Sequence, residues 1–197
     1  MITRRLALVF GLGLTLAACA GVNPPVERFP KISFHDQTPF QLNVGRVEVV
    51  SQYQAPAKPP HIEYDMPVSP ESAVKSWVED RLKPVGRSGI LRVVIHTASA
   101  TETPLKTDRG VKSVFEKQQV ARVDMAVDVS LQILDEHQFV TSEVSAKIER
   151  NRTEPEGMTL DQRDKLLYDM VVDLMKGFDA DISPNIRNTF GPWLGTQ

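Results

Sequence analysis

Cysteine is nearly missing from this sequence, since the 197 residues contain a single one, Cys19. One cysteine cannot form a disulfide within the chain, so the fold must be held by its hydrophobic core, and Cys19 is either a reactive thiol or a modification site. Aromatic residues are sparse at 7%, but the hydrophobic content of 41% and the charged content of 24% are ordinary globular values. These values exclude collagen-like, low-complexity and multi-spanning membrane proteins. The length predicts one globular domain plus a short additional segment.

An excess of positive charge is missing as well. Of the 23 lysines and arginines, Arg4 and Arg5 lie in residues 1–18, and without that segment 21 basic side chains face 25 acidic ones, a formal charge of −4. Domains that bind duplex nucleic acid are normally basic. No dense run of Lys and Arg occurs either, so the sequence predicts no nucleic-acid partner and offers no obvious polybasic site for lipid headgroups.

No apolar run of bilayer-spanning length precedes the polar part of the chain. The apolar stretch from Leu6 to Leu16 is about half of the roughly 20 residues that a transmembrane helix needs. It follows Arg4 and Arg5 and matches the apolar part of a secretory signal in length, so residues 1–18 are predicted to be a signal peptide. The two arginines also allow twin-arginine export, but nothing else in the first residues supports that route.

The segment ends Leu16-Ala17-Ala18-Cys19, which resembles the lipobox of bacterial lipoproteins. The resemblance implies cleavage before Cys19, a diacylglycerol on its sulfur and an acyl group on the new amino terminus. The alternative is an ordinary signal peptide whose cleavage site happens to precede a cysteine. Two or more acyl chains give stable anchoring, so the expected partner is a membrane. Ala20, at the position where inner-membrane retention signals usually carry Asp, favours the outer membrane, facing the periplasm, over the inner one.

The residues after the cysteine predict a tether. From Ala20 to about Pro39 the chain is rich in Pro and Asn and has no periodic apolar face, as in an extended linker. The predicted division is therefore a signal peptide at 1–18, the lipidated cysteine and tether at 19–39, and a single domain at 40–197. No internal repeat and no second domain are evident.

Alternation of apolar and polar residues predicts four strands. They are expected at 40–50 with a bulge at Gly45-Arg46, at 90–98, at 123–133 and at 140–148. Asp135-Glu136-His137 between the last two predicts a tight turn and an antiparallel hairpin with one wet side. The five prolines in 54–70 predict an extended connection after the first strand.

Two helices are predicted from caps and apolar spacing. Ser69 and Pro70 begin the first, which is expected to continue to Gly86 with Trp77 in the core. Thr159 and Gln162 have the spacing of a capping box and begin the second. Gly177 and Pro184 are expected to loosen and then interrupt it, with a short terminal helix in 185–194.

These elements follow the order β-α-β-β-β-α and predict an α+β fold, a two-layer sandwich in which two helices cover one face of an antiparallel four-stranded sheet. The lipobox, the proline-rich tether and this order resemble small envelope lipoproteins of the lipopolysaccharide-assembly and ABC-transport auxiliary kind. In those families the domain serves a membrane-embedded partner as a plug, scaffold or auxiliary subunit and performs no chemistry. Because the resemblance is one of layout, only Cys19 corresponds to a functional residue, and its lipid is the only expected cofactor.

The sequence contains few residues in patterns typical of catalytic or metal-binding sites. The sequence has no Gly-x-Ser-x-Gly elbow, no His-Glu-x-x-His and no glycine-rich phosphate loop, so no enzyme activity is predicted. His61, Glu63 and Asp65 alternate along an extended segment and could hold a divalent metal. A solvated loop is the preferred interpretation of these three residues, and no metal site is predicted.

Two regions are candidates for contact with an envelope partner. The stretch 101–119 is long for a connection, and its residues Lys106, Arg109, Lys112 and Phe115 could meet a protein or lipid. The alternative for this stretch is a simple strand extension or hairpin arm. Phe190 and Trp193, near the end of the chain, are either core caps or partner contacts.

The leading functional hypothesis is a non-enzymatic envelope lipoprotein that binds another envelope component. The alternative is a module that binds lipid or another small ligand between helix and sheet. Solvent-facing apolar residues on the helices would favour the first hypothesis, and an enclosed apolar cavity would favour the second.

Overall fold

The structure is a computed structural model that describes residues 28–106 and 118–195. Cys19, Arg109, Lys112 and Phe115 lie outside the described residues. The helices and strands are β1 (Phe40–Leu42), β2 (Arg46–Ser51), α1 (Pro70–Arg81), β3 (Leu82–Pro84), β4 (Ile90–Pro104), β5 (Gln119–Leu134), β6 (Val140–Pro155) and α2 (Leu160–Thr189), with short 3-10 turns at Glu63–Asp65 and Gly191–Trp193. The fold is α+β, as predicted.

The main sheet has four strands in the order β2-β4-β5-β6. β4, β5 and β6 are antiparallel neighbours, but β2 is parallel to β4. The prediction of a purely antiparallel sheet is therefore wrong at this edge. The cause is the chain path: α1 lies between β2 and β4, and a helical crossover brings the chain back to start the next strand in the same direction.

The single strand predicted over 40–50 is in fact two strands. β1 pairs in parallel with β3 in a separate two-stranded sheet, while β2 belongs to the main sheet. Gly86 explains the tight junction, because a Cβ there would lie 2.5 Å from Asn43 Oδ1 and 2.6 Å from the Asn43 carbonyl carbon. The same pairing ends α1 at Arg81, before the predicted end at Gly86, since residues 82–84 are recruited as β3.

The start of α1 is as the sequence predicts. Ser69 accepts a hydrogen bond from the backbone N–H of Ser72 at 3.2 Å, and Pro70 occupies the first turn, where its missing N–H is not needed. Trp77 is fully buried, as expected. Its ring meets the ring of Phe178 on α2 edge to face, with the centroids 5.0 Å apart.

The β4–β5–β6 meander is longer than predicted, with strands of 15, 16 and 16 residues. The Asp135 carboxylate closes the predicted turn between β5 and β6 by accepting from the N–H groups of His137 and Phe139, each at 2.9 Å. At the other end, pairing continues from Thr101 to Pro104 and from Glu149 to Pro155. Side chains there are mostly polar on both faces. The alternation of apolar and polar residues is therefore lost, although the backbone hydrogen bonds between the strands continue.

Helix α2 begins at the predicted capping box, in which Gln162 N–H bonds to Thr159 Oγ1 and Thr159 N–H to Gln162 Oε1. It then runs for 30 residues without a break at Pro184. The predicted interruption is wrong because the buried side chains of Ile182 and Ile186 hold both sides of the proline on the core, which offsets the missing hydrogen bond. Gly177 does not loosen the helix either, and a Cβ there would meet only the guanidinium end of the exposed Arg150 side chain.

One hydrophobic core lies between the helices and one face of the main sheet. Both helices and the inward side chains of β4 and β5 contribute to it, and so do Ile32 and Phe34 from the segment predicted as a tether. Asp80 holds that segment by accepting from Phe34 N–H at 2.7 Å and from Ser33 Oγ at 3.2 Å. Within the described ranges, no helix combines the length and apolar character needed to cross a bilayer.

Candidate functional site at the start of helix α2

An open groove with a volume of about 720 Å³ lies at the end of the domain where α2 begins. It is called the α2 groove below. One wall is the proline-rich segment 57–65, the floor is the end of β4, and the other wall is the first turn of α2. Its lining residues are Ala57, Lys58, Pro59, Pro60, His61, Ile62, Tyr64, Asp65, Glu102, Pro104 and Arg163.

Backbone pairing to β4 positions the proline-rich wall. Ile62 N–H donates to the carbonyl of Ala100 at 3.0 Å, and Glu102 N–H donates to the carbonyl of Pro60 at 2.8 Å. The segment thus continues the sheet edge beyond the end of β2, where β4 would otherwise expose unpaired groups. A segment of fixed shape forms this side of the groove.

Glu63 anchors the wall from behind. Its Oε1 accepts from Tyr53 Oη at 2.5 Å and from Ala100 N–H at 2.9 Å, and it lies 3.1 Å from His61 Nδ1. Burial acts to raise the pKa of Glu63, but the hydrogen bonds from Tyr53, Ala100 and His61 outweigh it and hold that pKa below its ordinary value. Burial first, and then the Glu63 carboxylate, raise the pKa of the Tyr53 hydroxyl. Glu63 is buried, so the solvated-loop interpretation is wrong for this residue.

Arg163 holds the opposite wall to the sheet by bridging two carboxylates. Its Nη2 lies 2.5 Å from Glu102 Oε2 on β4, and its Nε lies 3.4 Å from Glu154 Oε1 on β6. Burial first, and then the negative charge of Glu102, raise the pKa of Glu154, and Arg163 offsets this only in part. Two carboxylates therefore share one cation, and the ionised form of Glu154 is disfavoured.

The charges that line the groove are matched. The cations are Lys58, Arg163 and, when protonated, His61, and the acids are Asp65 and Glu102. Arg163 is already engaged by Glu102, so it offers little to an incoming anion. The remaining surface is apolar or aromatic, with prolines on one wall and Tyr64, which is 71% exposed, at the rim. The groove suits an extended and uncharged occupant.

The structure does not bring His61, Glu63 and Asp65 together as ligands for one metal ion. His61 contacts Glu63, but the remaining carboxylate, Asp65, is exposed on the groove side. In the part of the chain that the structure describes, no three His, Cys, Asp or Glu side chains are grouped closely enough to hold a metal ion.

Of the residues predicted as partner contacts, the three that the structure describes, Lys106, Phe190 and Trp193, do not lie in one site. Lys106 is exposed two residues beyond Pro104, at the end that carries the groove. Phe190 is fully buried at the end of α2 and caps the core, while Trp193 is half-buried beside it, with ring centroids 6.4 Å apart. Arg163, Glu102 and Glu154 were missed, because they come from three elements and share no sequence motif.

A second ionic cluster, built around the buried Arg81, joins α1 to the later part of α2. Asp179 Oδ1 accepts from Trp77 Nε1 at 2.8 Å, from Arg81 Nε at 2.9 Å and from Ser183 Oγ at 3.2 Å. Arg81 also donates to Ser183 Oγ and to the carbonyl of Thr38, and it lies over the ring of Phe40. One cation meets one carboxylate here, so this cluster has the features of a structural brace.

No known protein family and no curated protein matches the sequence. Among solved structures, the chain is similar to a minor lipoprotein from Acinetobacter baumannii, at 17% identity and a TM-score of 0.35, over 72% of this chain and 94% of that one. It is also similar to a protein of family DUF330 from Xanthomonas campestris, at 11% identity and a TM-score of 0.24, over 73% of this chain and 93% of that one.

Proposed function

We propose that this chain is an envelope lipoprotein, anchored to the outer membrane by lipid on Cys19, that serves another envelope component as a non-enzymatic auxiliary or assembly subunit. In this proposal the α2 groove receives an extended, uncharged segment of the partner protein. The observation that carries the proposal is the groove itself, which is open, preformed and balanced in charge.

The walls of the groove support binding of a polypeptide segment. Pro59 and Pro60 restrict the backbone of one wall, so little conformational entropy is lost when an occupant binds. Tyr64 at the rim is an exposed aromatic residue, a type enriched at the centres of protein interfaces. Because Glu102 and Glu154 already engage Arg163, an anionic occupant would have to compete with them for that cation.

A second candidate function is the binding of a lipid chain or another small apolar ligand. The volume of about 720 Å³ favours it, because ligand pockets typically occupy about 300–1,000 Å³. The groove is open along its length, whereas such sites bury most of their ligand. For this reason the protein partner is the preferred occupant.

Photocrosslinking in intact envelopes tests the proposal. A photoreactive phenylalanine analogue replaces Tyr64 in the full chain, and a matched control carries it at Phe139, which is 70% exposed at the opposite end of the sheet. We expect the Tyr64 position to crosslink to a discrete envelope protein that mass spectrometry identifies, and the Phe139 position not to do so. A Cys19→Ala chain should lose the same crosslink.

Two results would overturn the partner proposal. Crosslinking of the Tyr64 position to lipid alone would assign the groove to the second candidate function. The same pattern of products from the Tyr64 and Phe139 positions would show that the groove has no specific occupant.

A further inference from the structure

We infer that the end of the domain formed by the start of α2 faces the bilayer surface, with Leu160 in contact with lipid. This inference rests on the lipid anchor in the proposed function and adds an orientation to it. It concerns two exposed apolar side chains at opposite ends of the fold, Leu160 and Phe139, each 70% exposed. The contacts and length of the chain near the anchor decide which of the two meets lipid.

The chain enters the folded domain beside the start of α2. Arg28 forms an ion pair with Asp161, and the ring of Phe29 packs against that of Tyr168 with the centroids 5.4 Å apart. Lys31 then pairs with Glu79 on α1 at 2.5 Å. The point at which the anchoring segment meets the domain is therefore the first turns of α2.

The length of the segment limits how far that point can lie from the membrane. Eight residues separate Cys19 from Arg28, which at about 3.3–3.6 Å per residue gives a maximum reach of about 30 Å. Helix α2 has 30 residues and is about 45 Å long. With the far end of α2 against the membrane, Arg28 would lie farther from the bilayer than the segment can span.

Phe139 lies at that excluded end. It follows β5, whose 16 residues span about 50 Å from the groove end. Leu160, in contrast, is the first residue of α2 and directly precedes Asp161, to which Arg28 is paired. Tyr64 and Arg163, at the same end, line the α2 groove. A partner segment in the groove would thus lie close to the bilayer surface.

The charges at this end favour a contact made by apolar side chains. Among the described residues at this end, the exposed cations Arg28, Lys58 and Lys106 are matched by the exposed acids Asp65, Glu156 and Asp161, so these residues provide no excess of positive charge for anionic lipids. With the anchor holding this end at the bilayer, Leu160 can insert at the headgroup boundary through its apolar side chain, without such an excess. The contact should therefore form on neutral lipid as well as on anionic lipid.

Lipid quenching of a fluorescent label tests this orientation. The full-length lipoprotein carries one added cysteine, Leu160→Cys or the matched control Phe139→Cys, labelled with a small fluorophore; the native Cys19 is expected to be blocked by lipid. Each protein is reconstituted into phosphatidylcholine vesicles that contain a lipid with a headgroup nitroxide. We expect several-fold stronger quenching of the label at position 160 than of the label at position 139, with no dependence on added anionic lipid.

Flotation with the vesicles distinguishes failure of this orientation from failure of the proposed function. Chains that float with the vesicles but show equal quenching, or stronger quenching at position 139, overturn the orientation and leave the anchor in place. Chains that do not float with the vesicles overturn the anchor and therefore both proposals. A label at position 160 that is shielded from iodide in solution yet unquenched by the lipid would assign this end to a second copy of the chain and also overturn the orientation.

Discussion

Helix α2 is held to the rest of the domain by two ionic clusters, and these differ in how their charges are balanced. In its later part, Asp179 meets Arg81, and Trp77 and Ser183 donate to the same carboxylate. In its first turn, Arg163 faces both Glu102 and Glu154. The first cluster satisfies its charges, whereas the second leaves a carboxylate in surplus.

Among the described residues, the buried polar side-chain atoms that lack a hydrogen-bond partner lie at the groove end of the domain. Among the residues that the structure describes, two buried side-chain atoms have no hydrogen-bond partner, Glu63 Oε2 and Glu154 Oε1. Both belong to residues that hold a wall of the α2 groove. Buried polar groups are normally paired, so clustered exceptions indicate a region shaped by something other than stability. This contrast supports placing function at the start of α2.

The largest expected effect is at the satisfied cluster. Arg81→Ala leaves the Asp179 carboxylate and the Thr38 carbonyl without their cation, and breaking a buried pair in this way costs about 3–5 kcal/mol. Chemical denaturation followed by tryptophan fluorescence measures the loss. The control is Lys165→Ala, which removes an exposed pair with Asp169 and should cost under about 0.5 kcal/mol. Equal losses in the two variants would mean that the cluster is not a structural brace.

The sequence predicts features that depend on neighbouring residues. Ser69 and Thr159 begin their helices as expected, and Asp135 closes its turn, because each acts within four residues of itself. The parallel pairing of β2 was missed, since it depends on how α1 crosses the sheet. Pro184 was misjudged because tertiary packing outweighs the local cost of a proline.

The candidate site could not be predicted for the same reason. Glu102 and Arg163 are 61 residues apart in the chain, and neither lies in a recognisable motif. The sequence marks Glu63 only as a possible metal ligand, since nothing local indicates that Tyr53 and the N–H of Ala100 would surround it. Local patterns predicted the elements, whereas the site depends on how distant elements pack.

A smaller loss of stability is expected from a substitution of Glu63, whose Oε1 accepts hydrogen bonds at the groove end. Glu63→Gln replaces a charged acceptor of bonds from Tyr53 and Ala100, and hydrogen bonds to charged groups contribute about 1.5–3 kcal/mol. We expect a loss in this range at neutral pH. Because folding lowers the pKa of Glu63, the stability that it contributes is present above the unfolded-state pKa and is lost as pH falls through the folded-state value. The difference between wild type and Glu63→Gln should therefore shrink in acid, and a difference that grows there would contradict this account.

The smallest expected effect, at Glu154, has the opposite sign. Folding raises the pKa of this carboxyl, so the folded state favours the protonated form, and stability falls as pH rises from the unfolded-state pKa to the folded-state pKa. Glu154→Gln keeps the shape of the protonated form and should stabilise the protein slightly at neutral pH, with the gain disappearing in acid below the unfolded-state pKa. Denaturation midpoints measured across that pH range test this prediction. At neutral pH, Glu154→Gln should raise the midpoint, whereas Glu63→Gln should lower it. If Glu154→Gln instead destabilises at neutral pH, then its ion pair with Arg163 outweighs its burial, and the two clusters on α2 are both structural braces.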